Sequence, residues 1–461
     1  MKKIILVLIA AFFVLGWLFL KPAREVIQNQ NDRVDTDVYT DKNTGDISNE
    51  KVEYKLPEAA RPDAPIENPA EEEKQTLFLD DNLDVTNDID NENEKDTVII
   101  DPLSVEEING IIGAAVGWLK QSQELNGHFR YEYSPVSDSY SKEDHIVRQT
   151  GSLYVLGEVL KKDKYNKYGL KSVVENSVSY FEENSETGEF NGHKFRCILR
   201  AENTCTLGGV SLALVGILDL IEMYPELEIQ YENLITDYLN FILAMKKPNE
   251  GFRMDYYMIG EQFKRESDFS NGEAFLALVR YYKHKPTKEV KTVVDDSFDY
   301  FNAEYGNERN YNFYLWGMAA IKDLYKIEPA KNYYDFVKTY TDWRISGYKN
   351  QRETSDNKCA YFEGVISAYS LLEPNITEEE KKYYLEEINF WLTKSKELQV
   401  DNNGFINLKF GEKIKVLKPE KAAGGFLTGL EPDKLFQRID FTQHCLSSYL
   451  QKQTDIDKLE I

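Results

Sequence analysis

The chain has 461 residues, of which 79 are acidic and 55 are basic, and its formal net charge at pH 7 is −24. A nucleic-acid-binding protein is expected to carry a basic face, so this charge balance argues against nucleic acid as a partner. Four cysteines do not amount to a disulfide scaffold, so a chain of this length must derive its stability from an apolar core.

The first 24 residues contain an apolar run from Ile4 to Leu20, preceded by Lys2 and Lys3. As a helix this run would be about 25 Å long, close to the thickness of a bilayer core. No small-residue cleavage site or lipobox cysteine follows it. Residues 1–24 are therefore predicted to be an uncleaved signal anchor, a single-pass segment in the cell membrane with the following domain on the extracytoplasmic side.

Residues 25–101 contain 23 acidic and 7 basic residues and are rich in Asp, Asn, Glu and Pro. Such a segment cannot bury enough apolar surface to offset the entropy lost on ordering. We therefore expect a disordered acidic linker, whose like charges repel one another and hold the next domain away from the membrane.

Apolar residues spaced by three and four predict a series of helices within residues 102–461. Ser104 and Glu107 form a capping box for the first helix, and Thr377 and Glu380 form another. Only residues 405–417 have the pattern of a β hairpin. The twelve predicted helices span roughly 104–121, 145–162, 169–184, 206–224, 229–246, 270–284, 287–304, 310–326, 329–343, 358–373, 377–395 and 440–453.

The connections between these helices alternate in length. They are short after even-numbered helices, which predicts antiparallel neighbours, and six such hairpins in series form a closed ring most simply. The long loops then emerge on one face, where binding and catalysis are usually found. The long loops follow most odd-numbered helices and span 124–144, 185–205, 247–269, 344–357 and 396–439.

Five even-numbered helices carry a glycine near their start. A glycine inside a helix costs roughly 1 kcal/mol relative to alanine, so its recurrence indicates close packing between neighbouring helices. We therefore expect the even-numbered helices to form the inner ring. These glycines are Gly151, Gly209, Gly272, Gly317 and Gly364.

This pattern resembles the α/α-toroid superfamily, in particular the six-hairpin glycosidases and the catalytic domains of glucuronyl C5-epimerases. The resemblance covers about residues 102–455 and rests on the helix pairing, on loops with a glycine near an aromatic residue, and on the segment NGEAFLALVRYY at 271–282. It implies an all-α (α/α)6 toroid whose substrate binds in a central funnel on the long-loop face. The expected partner is a carbohydrate or cell-wall polymer.

The four cysteines suggest two different environments. Cys197 and Cys205 flank one loop and can pair outside the cell. Cys359 and Cys445 each lie at the start of an apolar segment, where a buried free thiol is the commoner arrangement.

Polar residues at the starts of the even-numbered helices are expected to surround the funnel. Glu363 lies in a nearly apolar segment, where burial is costly unless the carboxylate faces a cavity or a partner. Asp268 and Asp440 precede apolar runs, so each is either an N-cap or a funnel carboxylate. His145 is either a structural or a catalytic histidine. The candidate catalytic residues are therefore Glu363, Asp440, Asp268 and His145.

Ser270 and Glu273 have the spacing of a capping box. This spacing explains Glu273 without any chemistry. We therefore expect Asp268, rather than Glu273, to face a ligand.

The candidate substrate-binding residues combine cations with aromatic rings. Arginine can bind a carboxylate through two parallel hydrogen bonds. Aromatic loop residues can stack on sugar rings, although a fold rich in tyrosine also uses them for packing. The candidates are Arg148, Arg438, His444, Tyr131, Tyr256 and Trp343.

Two classes of function remain open. One is a carbohydrate-active enzyme, which would hydrolyse a glycosidic bond with two carboxylates, or epimerise or eliminate a uronate with Arg beside Tyr or His. The alternative is a non-catalytic, surface-displayed module that binds a cell-wall polymer or a partner protein. No zinc-type spacing of Cys and His, phosphate-binding glycine loop or nucleophilic serine motif is present, so no metal or cofactor is expected.

Overall fold

The computed structural model describes residues 102–349, 357–408 and 411–459. The predicted signal anchor at 1–24 and the predicted linker at 25–101 lie outside these described residues. Within them, no helix combines the length and the apolar character that a membrane crossing requires.

The described part of the chain contains twelve helices of fourteen residues or more, arranged in two layers. The six inner helices are α2 (Ile146–Leu160), α4 (Leu207–Met223), α6 (Asp268–His284), α8 (Tyr311–Ile327), α10 (Lys358–Leu372) and α12 (Ile439–Leu459). The six outer helices are α1 (Val105–Ser122), α3 (Leu170–Glu183), α5 (Glu228–Met245), α7 (Lys288–Asn307), α9 (Lys331–Lys349) and α11 (Glu378–Lys396). A further helical turn, Pro419–Ala422, lies in the loop before α12.

The inner helices form a closed ring. Each contacts the inner helix on either side, and α12 contacts α2. In α4 every residue from Leu207 to Ile221 is buried, as expected for a helix that is apolar around its whole circumference. The predicted alternation of inner and outer helices is therefore confirmed.

Gly272 shows why a small residue recurs at the starts of the inner helices. A Cβ atom added there would lie 2.7 Å from Cβ of Trp316, so α6 and α8 approach closely only because this side chain is absent. Two predicted helix ends were wrong by six residues: α9 continues to Lys349 rather than ending at 343, and α12 continues to Leu459 rather than ending at 453.

The long loops carry all the strands of the described residues. They form three small sheets, in the orders β2-β1-β9, β3-β4-β5-β6 and β7-β8, and every pairing is antiparallel. The strands are β1 (Glu132–Ser134), β2 (Ser139–Tyr140), β3 (Ser185–Phe190), β4 (His193–Ala201), β5 (Thr204–Thr206), β6 (Asp255–Tyr257), β7 (Phe405–Asn407), β8 (Lys413–Lys415) and β9 (Gln437–Arg438).

The predicted hairpin at 405–417 is present as β7 and β8. The longer hairpin of β3 and β4 was not predicted. Its turn is Asn191-Gly192, and both residues have positive φ, which is the signature of a two-residue type I′ hairpin turn. The sequence signal was therefore present in this dipeptide, although the flanking strands are too polar to show alternation.

Both pairs of cysteines form disulfides. Cys197 on β4 is bonded to Cys205 on β5. Cys359 on α10 is bonded to Cys445 on α12, so the prediction that these two residues are free thiols is wrong. The two cysteines are 86 residues apart in the chain and meet only because α10 and α12 are neighbours in the ring.

Candidate functional site

A cavity of about 750 Å³ opens on the face from which the long loops emerge. It lies at the N-terminal ends of the inner helices, so the partial positive charges of those helix ends converge on it. Its polar lining includes His145, Arg148, Glu273, Arg438, Asp440 and His444. Its apolar lining includes Phe269, Leu315, Trp316, Phe436 and Phe441.

His444 and Glu363 form a hydrogen-bonded pair across two inner helices. Nδ1 of His444 lies 2.7 Å from Oε2 of Glu363, whose side chain is buried behind the histidine. Nδ1 also lies 3.2 Å from the side-chain amide of Gln443. Because a carboxylate only accepts hydrogen bonds, the contact with Glu363 assigns the imidazole proton to Nδ1. Nε2 has no hydrogen-bond partner among the described residues, and it is the ring nitrogen available to the cavity. Trp316 packs against the imidazole with its ring centroid 5.8 Å away.

Asp440 is held by two arginines. Arg438 donates from Nε to Oδ1 at 3.0 Å and from Nη2 to Oδ2 at 2.7 Å, and Nε of Arg148 lies 3.2 Å from Oδ2. Burial opposes ionisation of Asp440, but the hydrogen bonds and charges of the two arginines outweigh it, and the pKa of Asp440 lies below its ordinary value. Asp440 is therefore an ionised carboxylate that fixes both guanidinium groups.

Tyr131 supports the same arginines from the loop after α1. Its hydroxyl accepts a hydrogen bond from Nη1 of Arg148, and both guanidinium groups lie over its ring, with Cζ 5.6 Å from the centroid for Arg148 and 5.8 Å for Arg438. A cation over an aromatic face is favoured by the quadrupole of the ring. Tyr131 is buried and acts on the cavity through the arginines.

Glu273 lies in the floor of the cavity, and none of the described residues is a charged partner of its carboxyl group. Glu273 is 4% exposed, and burial raises the pKa of its carboxyl group to about 8. Gly208, at the start of α4, leaves room for the carboxyl group, because a Cβ atom there would collide with Oε2 of Glu273. The environment therefore favours a neutral carboxylic acid near pH 7.

The capping box predicted for Ser270 and Glu273 is wrong. The helix begins earlier, with Ser267 as its N-cap residue, so Ser270 and Glu273 both lie inside α6. The expectation that Asp268 faces the ligand in place of Glu273 is also reversed. The carboxylate of Asp268 accepts hydrogen bonds from Tyr305 at 2.8 Å and from Asn310 at 2.7 Å, and it is not part of the cavity lining.

Two aromatic candidates also lie away from the cavity. Tyr256 on β6 is 8% exposed and packs edge-on against Phe195 on β4, in the sheet of β3 to β6. Trp343, on the outer helix α9, stacks on Tyr311 with a centroid distance of 5.0 Å. Both rings are used in packing.

His145 is part of the cavity lining, as is its neighbour Arg148. Desolvation and then the charge of Arg200 lower the pKa of His145, which favours its neutral form. This histidine occupies the N-cap position of α2 but makes no side-chain capping hydrogen bond.

The cavity carries positive charge in an otherwise acidic chain. Its four cations outnumber the carboxylates of Glu132 and Asp440, and the third carboxyl group, that of Glu273, is neutral near pH 7. A positively charged cavity concentrates anionic ligands. No group of three His, Cys, Asp or Glu residues within the described ranges is arranged to hold a metal ion. The cations of the lining are Arg148, Arg200, Arg438 and Lys434.

No protein-family model matches the chain, and no curated protein matches it by sequence. Solved structures show the same fold. A GH76 α-mannanase of Bacteroides thetaiotaomicron has a TM-score of 0.54 at 10% identity and covers 77% of this chain and 97% of its own. A sugar epimerase from a ruminal bacterium has a TM-score of 0.53 at 9% identity and covers 76% and 99%. The cellobiose 2-epimerase of Spirochaeta thermophila has a TM-score of 0.53 at 9% identity and covers 76% and 96%.

This chain has the α/α-toroid fold. The similarity to these structures covers the helical ring, and at such low identity it establishes the architecture alone. Only the cavity residues themselves indicate the chemistry of the site.

Proposed function

We propose that the toroid is a carbohydrate-active enzyme that moves a proton on an anionic sugar, by epimerising or eliminating a uronate. The observation that carries the proposal is the imidazole of His444, oriented by Glu363 at 2.7 Å, with its second nitrogen open to a positively charged cavity. An imidazole fixed in this way is suited to act as a general base. The fold is shared with a sugar epimerase and a cellobiose 2-epimerase, which supports sugar chemistry of this kind.

Each residue has a definite part in the proposed reaction. Arg148 and Arg438 bind the sugar carboxylate and withdraw charge from the adjacent carbon, while Asp440 fixes the orientation of both guanidinium groups. Nε2 of His444 removes the proton from that carbon. Glu273 donates its proton from the cavity floor.

The proton given by Glu273 has two possible destinations. In epimerisation it goes to the opposite face of the same carbon, and the cycle closes when His444 releases its proton to water and the carboxylate of Glu273 takes up a proton from water. In elimination the bond from the neighbouring carbon to the leaving oxygen breaks, the electron pair of the C–H bond forms the C=C bond, and the oxygen leaves with the proton of Glu273. The same residues serve both reactions, and the products distinguish them.

A second candidate is glycoside hydrolysis. Glu273 is neutral and Asp440 is ionised in the same cavity, and two carboxyl groups with pKa values pushed apart are typical of a general acid with an anionic partner. The known structures of this fold include the GH76 α-mannanase. The two guanidinium groups around Asp440 hold its negative charge and make this carboxylate a poor nucleophile. We therefore favour proton transfer on a uronate over glycoside hydrolysis.

The test is incubation of the full chain with uronate-containing and neutral glycans in heavy water. We expect deuterium on a uronate carbon, or an unsaturated product that absorbs ultraviolet light, and a loss of about 10²-fold or more in His444→Gln. New reducing ends on neutral glycans without deuterium would establish hydrolysis instead. Tight binding of a glycan without turnover by wild type would establish the non-catalytic binding module.

We further propose that residues 1–24 anchor the chain in the cell membrane and place the toroid on the extracytoplasmic side. The two disulfides support this location, because disulfides persist in oxidising compartments and are rare in the cytosol. Digestion of intact cells by an added protease is expected to release the toroid, whereas a cytoplasmic domain would be protected.

A further inference from the structure

The Cys359–Cys445 disulfide lies directly beside the Glu363–His444 pair. Cys359 is the second residue of α10 and precedes Glu363 by four positions, which places both on the same face one turn apart. Cys445 follows His444 directly on α12. The two cysteine Cα atoms are 4.8 Å apart. A covalent bond and a hydrogen bond therefore join the same two helices about one turn apart.

We propose that Cys359 and Cys445 are positioning residues, whose disulfide holds Glu363 within hydrogen-bonding distance of His444. This inference rests on the proposed function only for the catalytic role of His444. The hydrogen bond between Glu363 and His444 can be observed without a substrate.

The first turn of α10 is packed against the outer helices through Tyr361, whose hydroxyl donates a hydrogen bond of 3.0 Å to Glu387, but its backbone capping is weak. Its N-terminal capping is a single hydrogen bond from the backbone N–H of Ala360 to the side chain of Asn357. Terminal turns are the part of a helix that opens most easily. Ser448 adds a hydrogen bond of 3.4 Å to the carbonyl of Cys359, which is too long to fix the turn by itself.

The carboxylate must be held closely because a hydrogen bond is sensitive to distance. Nδ1 of His444 and Oε2 of Glu363 are 2.7 Å apart, and a displacement of about 1 Å would take them beyond hydrogen-bonding distance. The imidazole would then be free to rotate or to carry its proton on the other nitrogen. Because only one of these arrangements presents Nε2 as a base, the disulfide fixes the functional state of the ring.

The chain provides a matched control in its second disulfide. Cys197 and Cys205 are eight residues apart and join β4 to β5, and this bond involves neither α10 nor α12. The double variant Cys197→Ser/Cys205→Ser removes the same chemical group from a buried position without touching the helix pair. It also leaves a protein with one disulfide, which simplifies reduction experiments.

The test is NMR of the full chain labelled with ¹⁵N-histidine, which gives at most five imidazole signals. His444→Gln assigns the signal of His444. In wild type and in Cys197→Ser/Cys205→Ser we expect a downfield Nδ1 proton that exchanges slowly with water, as in a hydrogen bond to a carboxylate. In Cys359→Ser/Cys445→Ser we expect this signal to be lost while the other histidine signals remain. An unchanged His444 signal in that variant would overturn the proposal.

Reduction gives an independent measurement if the serine variant does not fold. Cys197→Ser/Cys205→Ser is titrated with a phosphine reductant, and reduced thiol is counted by alkylation and mass spectrometry. Loss of the His444 signal in step with reduction, with the remaining spectrum intact, supports the proposal. Loss of the whole spectrum at the same point contradicts it, because the disulfide would then hold the fold rather than the pair.

Turnover separates this proposal from the proposed function. If His444 is the base, Cys359→Ser/Cys445→Ser should lower kcat by about 10- to 100-fold with KM nearly unchanged, because the misplaced group acts in the chemical step. The control variant should retain wild-type kcat. A disulfide-dependent His444 signal in a protein that turns over no sugar would refute the enzyme and leave the positioning role established.

Discussion

Replacing Glu273 with glutamine tests whether the cavity floor holds a neutral acid. Burial raises the pKa of Glu273 from an ordinary value of 4.5 to about 8. Between these two values the folded protein binds a proton that the unfolded chain has released, so the stability of wild type falls as the pH rises. One pH unit corresponds to about 1.4 kcal/mol, so the free energy of unfolding decreases by about 5 kcal/mol across this range.

The glutamine variant is neutral at every pH and has nearly the same shape. Its stability should therefore equal that of wild type near pH 4.5 and exceed it by several kcal/mol near pH 8. Urea unfolding of both proteins, followed by circular dichroism at each pH, measures the difference. All other titrating groups are common to the two proteins and cancel when one curve is subtracted from the other.

Glu386→Gln provides the control for a change in net charge. Glu386 is a largely exposed carboxylate on the outer helix α11. This variant should differ from wild type by no more than about 0.5 kcal/mol at any pH, as is usual for surface substitutions. If the Glu273→Gln difference were also independent of pH, Glu273 would not be protonated in the folded protein, and its proposed role as the acid would fail.

Three further predictions concern residues around the site. Asp268→Ala should cost about 1–3 kcal/mol in urea unfolding, because Tyr305 and Asn310 lose their acceptor, while affinity for a cavity ligand measured by calorimetry stays within twofold. Gly272→Ala should cost about 1–3 kcal/mol, because the new Cβ would lie 2.7 Å from Cβ of Trp316; a neutral result would show that the two inner helices are less closely packed. Removing the disulfide between α10 and α12 should cost about 2 kcal/mol more than removing the one between β4 and β5, because the loop it closes is roughly ten times longer; equal losses would refute this entropic account.

The ring architecture could be predicted from the sequence because it depends on local signals. Helix periodicity, loop length and glycine position each follow from short stretches of chain, and together they placed six helices inside and six outside. The disulfide between α10 and α12 depends on a contact between residues 86 positions apart, and no local sequence pattern indicates that contact. The β3–β4 hairpin was missed for the opposite reason, since Asn191-Gly192 is a local signal whose flanking strands lack an apolar pattern.

The candidate site was predicted in part, and the error at Glu273 is informative. Glu363 is a carboxylate in a nearly apolar helix, and Glu273 in NGEAFLALV has the same kind of surroundings in the sequence. The spacing between Ser270 and Glu273 indicated a capping box instead. That assignment is wrong because α6 begins at Asp268, earlier than the pattern suggested. Since helix boundaries are read from sequence only to within a few residues, a capping assignment is a weak reason to set aside a carboxylate in an apolar segment.

A second polar cluster, at the opposite ends of the inner helices, shows what distinguishes the cavity. There Arg280 contacts Glu158 at 2.8 Å and Asp219 at 3.1 Å, and it also pairs with Asp323. Lys161 lies 2.8 Å from both Glu158 and Asp219. Each of these buried groups has an oppositely charged partner beside it, as a structural ion cluster requires, although burial raises the pKa of Asp219 to about 7. At the cavity, by contrast, Glu273 has no charged partner and Nε2 of His444 has no protein partner among the described residues. Burial of such groups costs stability, and unpaired buried groups of this kind cluster at functional sites, which is why the proposed site is placed at this cavity.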